Sequence, residues 1–316
     1  MRAEGTGPGS PRVLLVGDAN IDLLLTGLPG MPVPEQEVLA RQLTTVVGGQ
    51  TATLARALAR LGARATMVGK VGDDDHGRLV LSQLAADGVD VSAMRVDPEL
   101  PTGVTVVLST GTERAYATYL GTIATLRAEE VPARLLAGAD HLHVGSFYLQ
   151  PGLRPSFKGL FQAAHAAGLT TSLDPGWDPL EEWLPDILDV LDHVDVFIPN
   201  LVEALAISRA AAPLEAMSCL GQHARRVVVK AGAQGCLVWE HGRSLSVPGF
   251  VVPVKDVTSA GDVFNAGFLY GFLCGWDAGE AARFANACGA MAVGRVGSDG
   301  IVPGVEGVRE FLASYG

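Results

Sequence analysis

Short runs of Val, Ile and Leu alternate along the chain with longer stretches whose apolar residues recur every three or four positions. The runs at 13–16, 65–68, 141–144, 170–173, 194–198, 227–229, 236–239 and 244–247 predict strands. The longer spacing predicts helices over 51–61, 77–86, 201–207, 214–224, about 261–273, 278–293 and 305–314. Continuous apolar strands separated by helices form a mostly parallel sheet covered on both faces. The predicted class is therefore a three-layer α/β/α fold. Two stretches break the rhythm. Residues 38–47 and 103–120 are rich in Thr, Val and Tyr, alternate partly with period two, and have no helix between strands. They predict a small accessory sheet inserted into the α/β body.

The chain has 316 residues and shows no internal repeat and no clean linker, which favours one domain over residues 12–316. Residues 1–11 are Gly/Pro-rich, lack an apolar h-region, and read as a disordered tail. Hydrophobic residues make up 48% and charged residues 18%, enough apolar material for a sizeable core. The net charge of −11 argues against nucleic acid and anionic membranes as partners. The four cysteines show no paired or metal-ligand spacing, as expected of buried thiols in a cytoplasmic protein.

The strongest local signal is Asp256-Val257-Thr258-Ser259-Ala260-Gly261-Asp262, a small-residue turn opening directly into an apolar helix. The amides of Ala260, Gly261 and Asp262 would lie unpaired at that helix start, at the positive end of its dipole. Such a turn suits an anion, and a carboxylate at its mouth suits the acceptance of a proton from an attacking hydroxyl. The same Asp262 would also serve as an ordinary helix-start residue. Asn265 lies one turn on, either to orient a substrate or as a satisfied buried amide.

The chain after the first strand reads Gly17-Asp18-Ala19-Asn20-Ile21-Asp22. Polar groups at the carboxyl end of a buried parallel strand lie where open α/β sheets bind ligands, although taken alone the segment reads as an ordinary Asp/Asn-rich turn. Gly48-Gly49-Gln50-Thr51-Ala52-Thr53 opens the helix predicted over 51–61, and its paired glycines either allow close backbone approach to a ligand or form a plain strand-to-helix turn capped by Thr51 or Thr53. The acidic run within residues 69–77 is a metal site or a solvated helix start. Asn200 and Glu203, at i and i+3, either place a Mg²⁺ ion through water or cap a helix. Lys230-Ala231-Gly232-Ala233-Gln234-Gly235 either wraps a nucleotide or joins two strands as a hairpin.

In order and spacing these motifs resemble the PfkB (ribokinase-like) carbohydrate kinase family, over nearly the whole chain from about Val13 to Leu312. The resemblance implies transfer of the ATP γ-phosphoryl group to a hydroxyl of a small sugar, with Mg²⁺ and a K⁺ site. Asp262 then resembles the catalytic base, with Ser259, Ala260 and Gly261 forming the anion-hole turn. Asn20, Asp22, Gly48, Gly49, Gln50 and Thr53 fall at sugar-contact positions. Lys230, Gly232, Gly235 and Asn286 fall at nucleotide positions, and Asn200 and Glu203 at those governing Mg²⁺. Asp256, Thr258 and Ser298 resemble the monovalent-cation site. The accessory sheet, from segments of about 20–47 and 100–122, resembles a lid that closes over the sugar and often builds a homodimer.

Two positions depart from the family's pattern. Thr53 stands where an Asn commonly contacts the sugar, and Ser259 replaces the first Gly of a Gly-Ala-Gly-Asp form. The sugar-side motifs hold Gln50 and no lysine, with only Arg41, Arg114 and Arg127 in or beside the lid. An unphosphorylated, ribose- or fructose-like sugar is therefore the expected acceptor. The alternatives are a nucleoside or sugar-phosphate kinase of the same fold, and a non-catalytic binding relative.

Overall fold

The computed structural model describes residues 10–183, 185–294 and 304–315. In the first half, strands β1 (Arg12–Val16), β2 (Asn20–Thr26) and β3 (Gln42–Gly48) lead into helix α1 (Gln50–Arg60). There follow β4 (Arg64–Val68), β5 (Lys70–Gly72), α2 (Asp75–Ala86), β6 (Arg95–Asp97), β7 (Gly103–Ser109), β8 (Arg114–Tyr119) and α3 (Ala133–Gly138). The second half runs β9 (His141–Val144), α4 (Phe157–Ala166), β10 (Thr170–Leu173), α5 (Asp186–Leu191), β11 (Val196–Phe197), α6 (Leu201–Ser208) and α7 (Pro213–Leu220). It closes with β12 (Arg226–Lys230), β13 (Cys236–Glu240), β14 (Arg243–Val247), α8 (Ala260–Leu273), α9 (Ala278–Val293) and α10 (Val305–Ser314).

The main sheet has the order β14-β13-β12-β11-β10-β9-β1-β4. Six neighbouring strands from β12 to β4 run parallel, and β13 and β14 add an antiparallel edge. Alternate strand residues feed two cores. Val13 and Leu15 pack with α1, α2, α8 and α9, whereas Leu14 and Val16 pack with α3 to α7. Continuous apolar runs arise for this reason: both faces of each strand are dry. Helix α4 was not among the predicted elements, although Phe157, Leu160, Phe161 and Ala164 form a clear buried stripe. The short α5 was also missed. The predicted ends of α9 and α10 match the structure to the residue.

A second, four-stranded sheet, β3-β2-β7-β8, forms the lid. It draws on both stretches that broke the helical rhythm. The first contributes from Gln42 rather than from residue 38, and β2 begins at Asn20, directly after the polar turn. Residues Asp22, Thr105 and Thr118 are cross-strand neighbours, and so are Thr26, Ser109 and Arg114 four positions on. An even offset keeps both rows on one face of the sheet.

Candidate active site

Parallel strands deliver their carboxyl ends to one edge of the main sheet, and polar residues collect there. Asp18 follows β1, Ser146 follows β9, Asp174 follows β10, Asn200 follows β11 and Lys230 ends β12. Helix α8 brings Asp262 and Asn265 to the same edge. A cavity of 570 Å³ lies along it, lined by Gln50 and also by Gly232, Gly235 and Asn286. Asn200, Glu203, Lys230, Gly261 and Asp262 line the cavity as well.

On the lid side, the Asn20 amide donates to Asp22 Oδ1 at 2.8 Å and to Thr105 Oγ1 at 3.3 Å. The glycine pair after β3 is a steric requirement. A Cβ on Gly48 would lie 2.2 Å from the Asp22 carboxylate, and Gly49 has φ 95°. Asp18 caps α1, accepting from the amides of Gln50 and Thr51 and from the Thr51 hydroxyl at 2.7–3.0 Å. Gln50 Oε1 accepts from the Ser146 amide at 2.5 Å. Thr53 is 1% exposed, within α1. Burial pushes the Asp22 carboxyl up to about 6, against the Asn20 hydrogen bond that favours its charge. We expect the KM for the acceptor to rise as the pH falls through 6, because protonation removes a charged hydrogen-bond acceptor. Asp22→Asn should raise that KM by about 10–10²-fold and flatten its pH dependence, as read by steady-state kinetics.

At the positions expected to meet a nucleotide, Gly232 (φ 59°) and Gly235 (φ 94°) close a tight turn between antiparallel β12 and β13. The hairpin reading of this segment holds, and its glycines still line the cavity. Asn286 donates to the carbonyls of Val247 and Pro248, both at 3.1 Å, and so fixes the exit of β14. The chain beyond, with Phe250, Val251, Val252, Val254 and Val257, supplies an apolar cavity wall. Its valines were not singled out from the sequence, although an apolar run without strand or helix spacing is a signal that something else covers it. Val251 is 92% exposed.

Asn200 and Glu203 form a capping box at the start of α6. Asn200 Oδ1 accepts from the Glu203 amide at 2.9 Å, and Glu203 Oε2 from the Asn200 amide at 2.8 Å. The cap and the cavity-facing position coexist. Burial, followed by the Asp174 charge, pushes the Glu203 carboxyl up to about 7. The acidic run in residues 69–77 resolves as a helix start: Asp74 caps α2 and ties down Thr102. Among the described residues, no group of three or more His, Cys, Asp or Glu could hold a metal ion.

The anion-hole turn differs from expectation at one amide. Ala260 N–H donates to the Val257 carbonyl at 3.3 Å, because Ser259 adopts φ 64° and curls the turn back on itself. Among the described residues, nothing takes the amides of Gly261 or Asp262, so the turn offers an anion two free donors rather than the three expected. Ser259 occupies a backbone conformation that glycine adopts without strain. Of the residues assigned to a monovalent cation, Ser298 lies outside the described residues. Asp256 and Thr258 sit on the turn, and Arg114 of the lid donates to both, at 2.7 and 2.8 Å.

Asp174 is the residue the sequence reading missed. It is fully buried, forms an ion pair with Lys230, and accepts from Asn265 Nδ2 at 2.5 Å. Lys230 also donates to Asn265 Oδ1 at 3.3 Å. Asn265 is thus a satisfied buried amide that joins α8 to the sheet edge. Burial, then the charges of Asp174, Asp18 and Asp22, hold Asp262 well above the usual carboxylate range, with Lys230 opposing them.

A model of the pfkB family of carbohydrate kinases matches residues 10–303. The ATP-dependent ribose-1-phosphate kinase of Halopiger xanaduensis is 33% identical over 306 residues, covering 96% of this chain and 98% of the relative. The ribokinase of Bacillus subtilis is 27% identical over 304 residues, covering 95% and 99%. Among solved structures, an Escherichia coli protein described as a ribokinase II, in complex with ATP and Mg²⁺, superposes with a TM-score of 0.83. It is 25% identical, covering 96% of this chain and 99% of that one.

Proposed function

Because the chain belongs to the pfkB family of carbohydrate kinases, we propose that it transfers the γ-phosphoryl group of ATP to a hydroxyl of a small sugar, with Asp262 as general base. One observation carries this reading. Asp262 and the two free amides at the start of α8 face a cavity that joins the sugar-side residue Gln50 to the nucleotide-side glycine turn. A hydroxyl held beside Asp22 and Asn20 would meet the carboxylate, and a phosphoryl group in flight would meet the Gly261 and Asp262 amides.

Backbone donors at two turns and an apolar wall would hold the nucleotide, which explains how so acidic a protein accepts a polyanion. The residues suit Mg²⁺ carried in on the phosphates: Glu203 is buried at the cavity with Asn200 beside it, and no all-protein cage is needed. When bound, the ion would supply positive charge against the phosphates. Asn200 and Glu203 would orient it. Lys230 would hold Asp174 and lower the proton affinity of Asp262.

The acceptor we favour is unphosphorylated. Two cationic side chains beside the site, Lys230 and Arg114, are committed to Asp174 and to Asp256 with Thr258. The second reading, a sugar 1-phosphate, is favoured by the ribose-1-phosphate kinase among the relatives. It requires Arg114 to leave its carboxylate for the substrate's phosphate. Release of ADP over ribose, ribose 1-phosphate, fructose, 2-keto-3-deoxygluconate and nucleosides tests both. A kcat/KM for ribose 1-phosphate far above that for ribose would overturn the first. No ADP with any acceptor, despite tight sugar binding, would leave a non-catalytic binding protein.

A further inference from the structure

Among the described residues, a lid side chain, Arg114, hydrogen-bonds the turn before α8. Arg114 opens β8, next to the hairpin tip, while most of β8 beyond it is exposed. Its Nη2 donates to Asp256 Oδ1 at 2.7 Å and its Nη1 to Thr258 Oγ1 at 2.8 Å. Asp256 Oδ1 also accepts from the Thr258 amide at 2.9 Å and from its hydroxyl at 2.7 Å. The guanidinium therefore completes a closed ring of hydrogen bonds around the turn that sets the direction of the Gly261 and Asp262 amides. The Asp256 side chain is 8% exposed and that of Arg114 is 23% exposed, so water screens the pair little.

The oxygens of Asp256 and Thr258 do not suit a mobile monovalent cation, because they already accept from a fixed cation of the chain itself. We infer that Arg114 is a positioning residue carried on the lid, whose guanidinium, rather than a bound K⁺ ion, clasps the Asp256–Thr258 turn and aims the anion hole. The inference rests on the phosphoryl-transfer reading above. It adds a link between the two ends of the site. Arg114 shares a lid face with Asp22, Thr105 and Thr118, so the sheet that covers the acceptor at one end fastens the anion hole at the other. The clasp needs a forked, planar donor, since two oxygens on turn residues two positions apart accept from separate nitrogens of one group.

The test compares wild type, Arg114→Ala and Arg114→Lys in KCl and in choline chloride at equal ionic strength. Wild-type kcat is expected to be the same in both salts. Arg114→Ala should lose about 10²-fold in kcat, because a small misplacement of the reacting groups costs that much, and KCl or guanidinium chloride should restore part of it. KCl should raise the Tm of Arg114→Ala above its value in choline chloride and leave that of wild type unchanged. Arg114→Lys, which keeps the charge but not the fork, should fall between the two. Activation of wild type by K⁺, or wild-type kcat in Arg114→Ala, would overturn the inference. So would a loss that neither cation restores, which would make Arg114 merely structural. If wild type transfers phosphate to no acceptor, the functional reading fails, while the Tm comparison still tests the clasp.

Discussion

Asp262→Asn is expected to lower kcat by about 10²-fold or more, with little change in the KM for ATP. The side chain lies at the first turn of α8, beside two free amides, in a cavity shared by both substrate sides. Asparagine keeps the shape and the backbone amide but loses the negative charge and the capacity to take a proton. The pH dependence gives a sharper reading. Burial and the charges of Asp174, Asp18 and Asp22 raise the proton affinity of Asp262. The acid limb of kcat at saturating acceptor in wild type should therefore stand above the ordinary aspartate range and should vanish in the Asn variant. Stability should move the other way. A carboxyl whose folded pKa is raised binds its proton more tightly in the folded chain, so its contribution is lost as pH rises above the unfolded value. Asp262→Asn should then raise Tm at pH 8 more than at pH 4. A variant with near wild-type kcat would remove Asp262 from the mechanism.

The sequence made the layers and the outline of the site legible because both depend on local pattern. Dry strands read as apolar runs, and the lid announced itself as Thr/Val-rich alternation. The glycine pair at 48–49 and the turn before α8 carry their meaning in small residues at fixed spacing. What stayed hidden depends on pairing across the sheet. Asp174 lies 56 residues from Lys230 and 91 from Asn265, and only the parallel order β10-β11-β12 under α8 brings them together. A signal was present all the same: Asp174 directly follows a buried strand, at the edge where Asp18 and Asn200 were noticed. Arg114 was read only as one of three arginines in or beside the lid, because nothing local connects it to residues 142 and 144 positions away. The left-handed backbone at Ser259 was equally out of reach, and it removed the Ala260 amide from the expected anion hole.

Lys230→Met is expected to destabilise the fold by about 3–5 kcal/mol, the cost of leaving a buried charge without its partner. Burial pulls the lysine's proton affinity down, but Asp174 and Glu203 more than offset it, so Lys230 stays charged. Its loss leaves Asp174 fully buried with Glu203 and Asp262 as negative neighbours. Each of those carboxyls would then hold its proton to higher pH, so the acid limb of kcat at saturating acceptor should shift upward, a change that simple loss of packing would not produce. The double variant Lys230→Met/Asp174→Asn separates the two effects. Neutralising the stranded carboxylate should recover most of the stability in denaturant unfolding, and a coupling measured by the cycle would report the pair directly. It should also return the acid limb toward its wild-type position, because Asp174 raises Asp262 only while charged. Loss of less than about 1 kcal/mol in Lys230→Met, with an unshifted limb, would mean that the pair neither holds this edge of the sheet nor tunes the base.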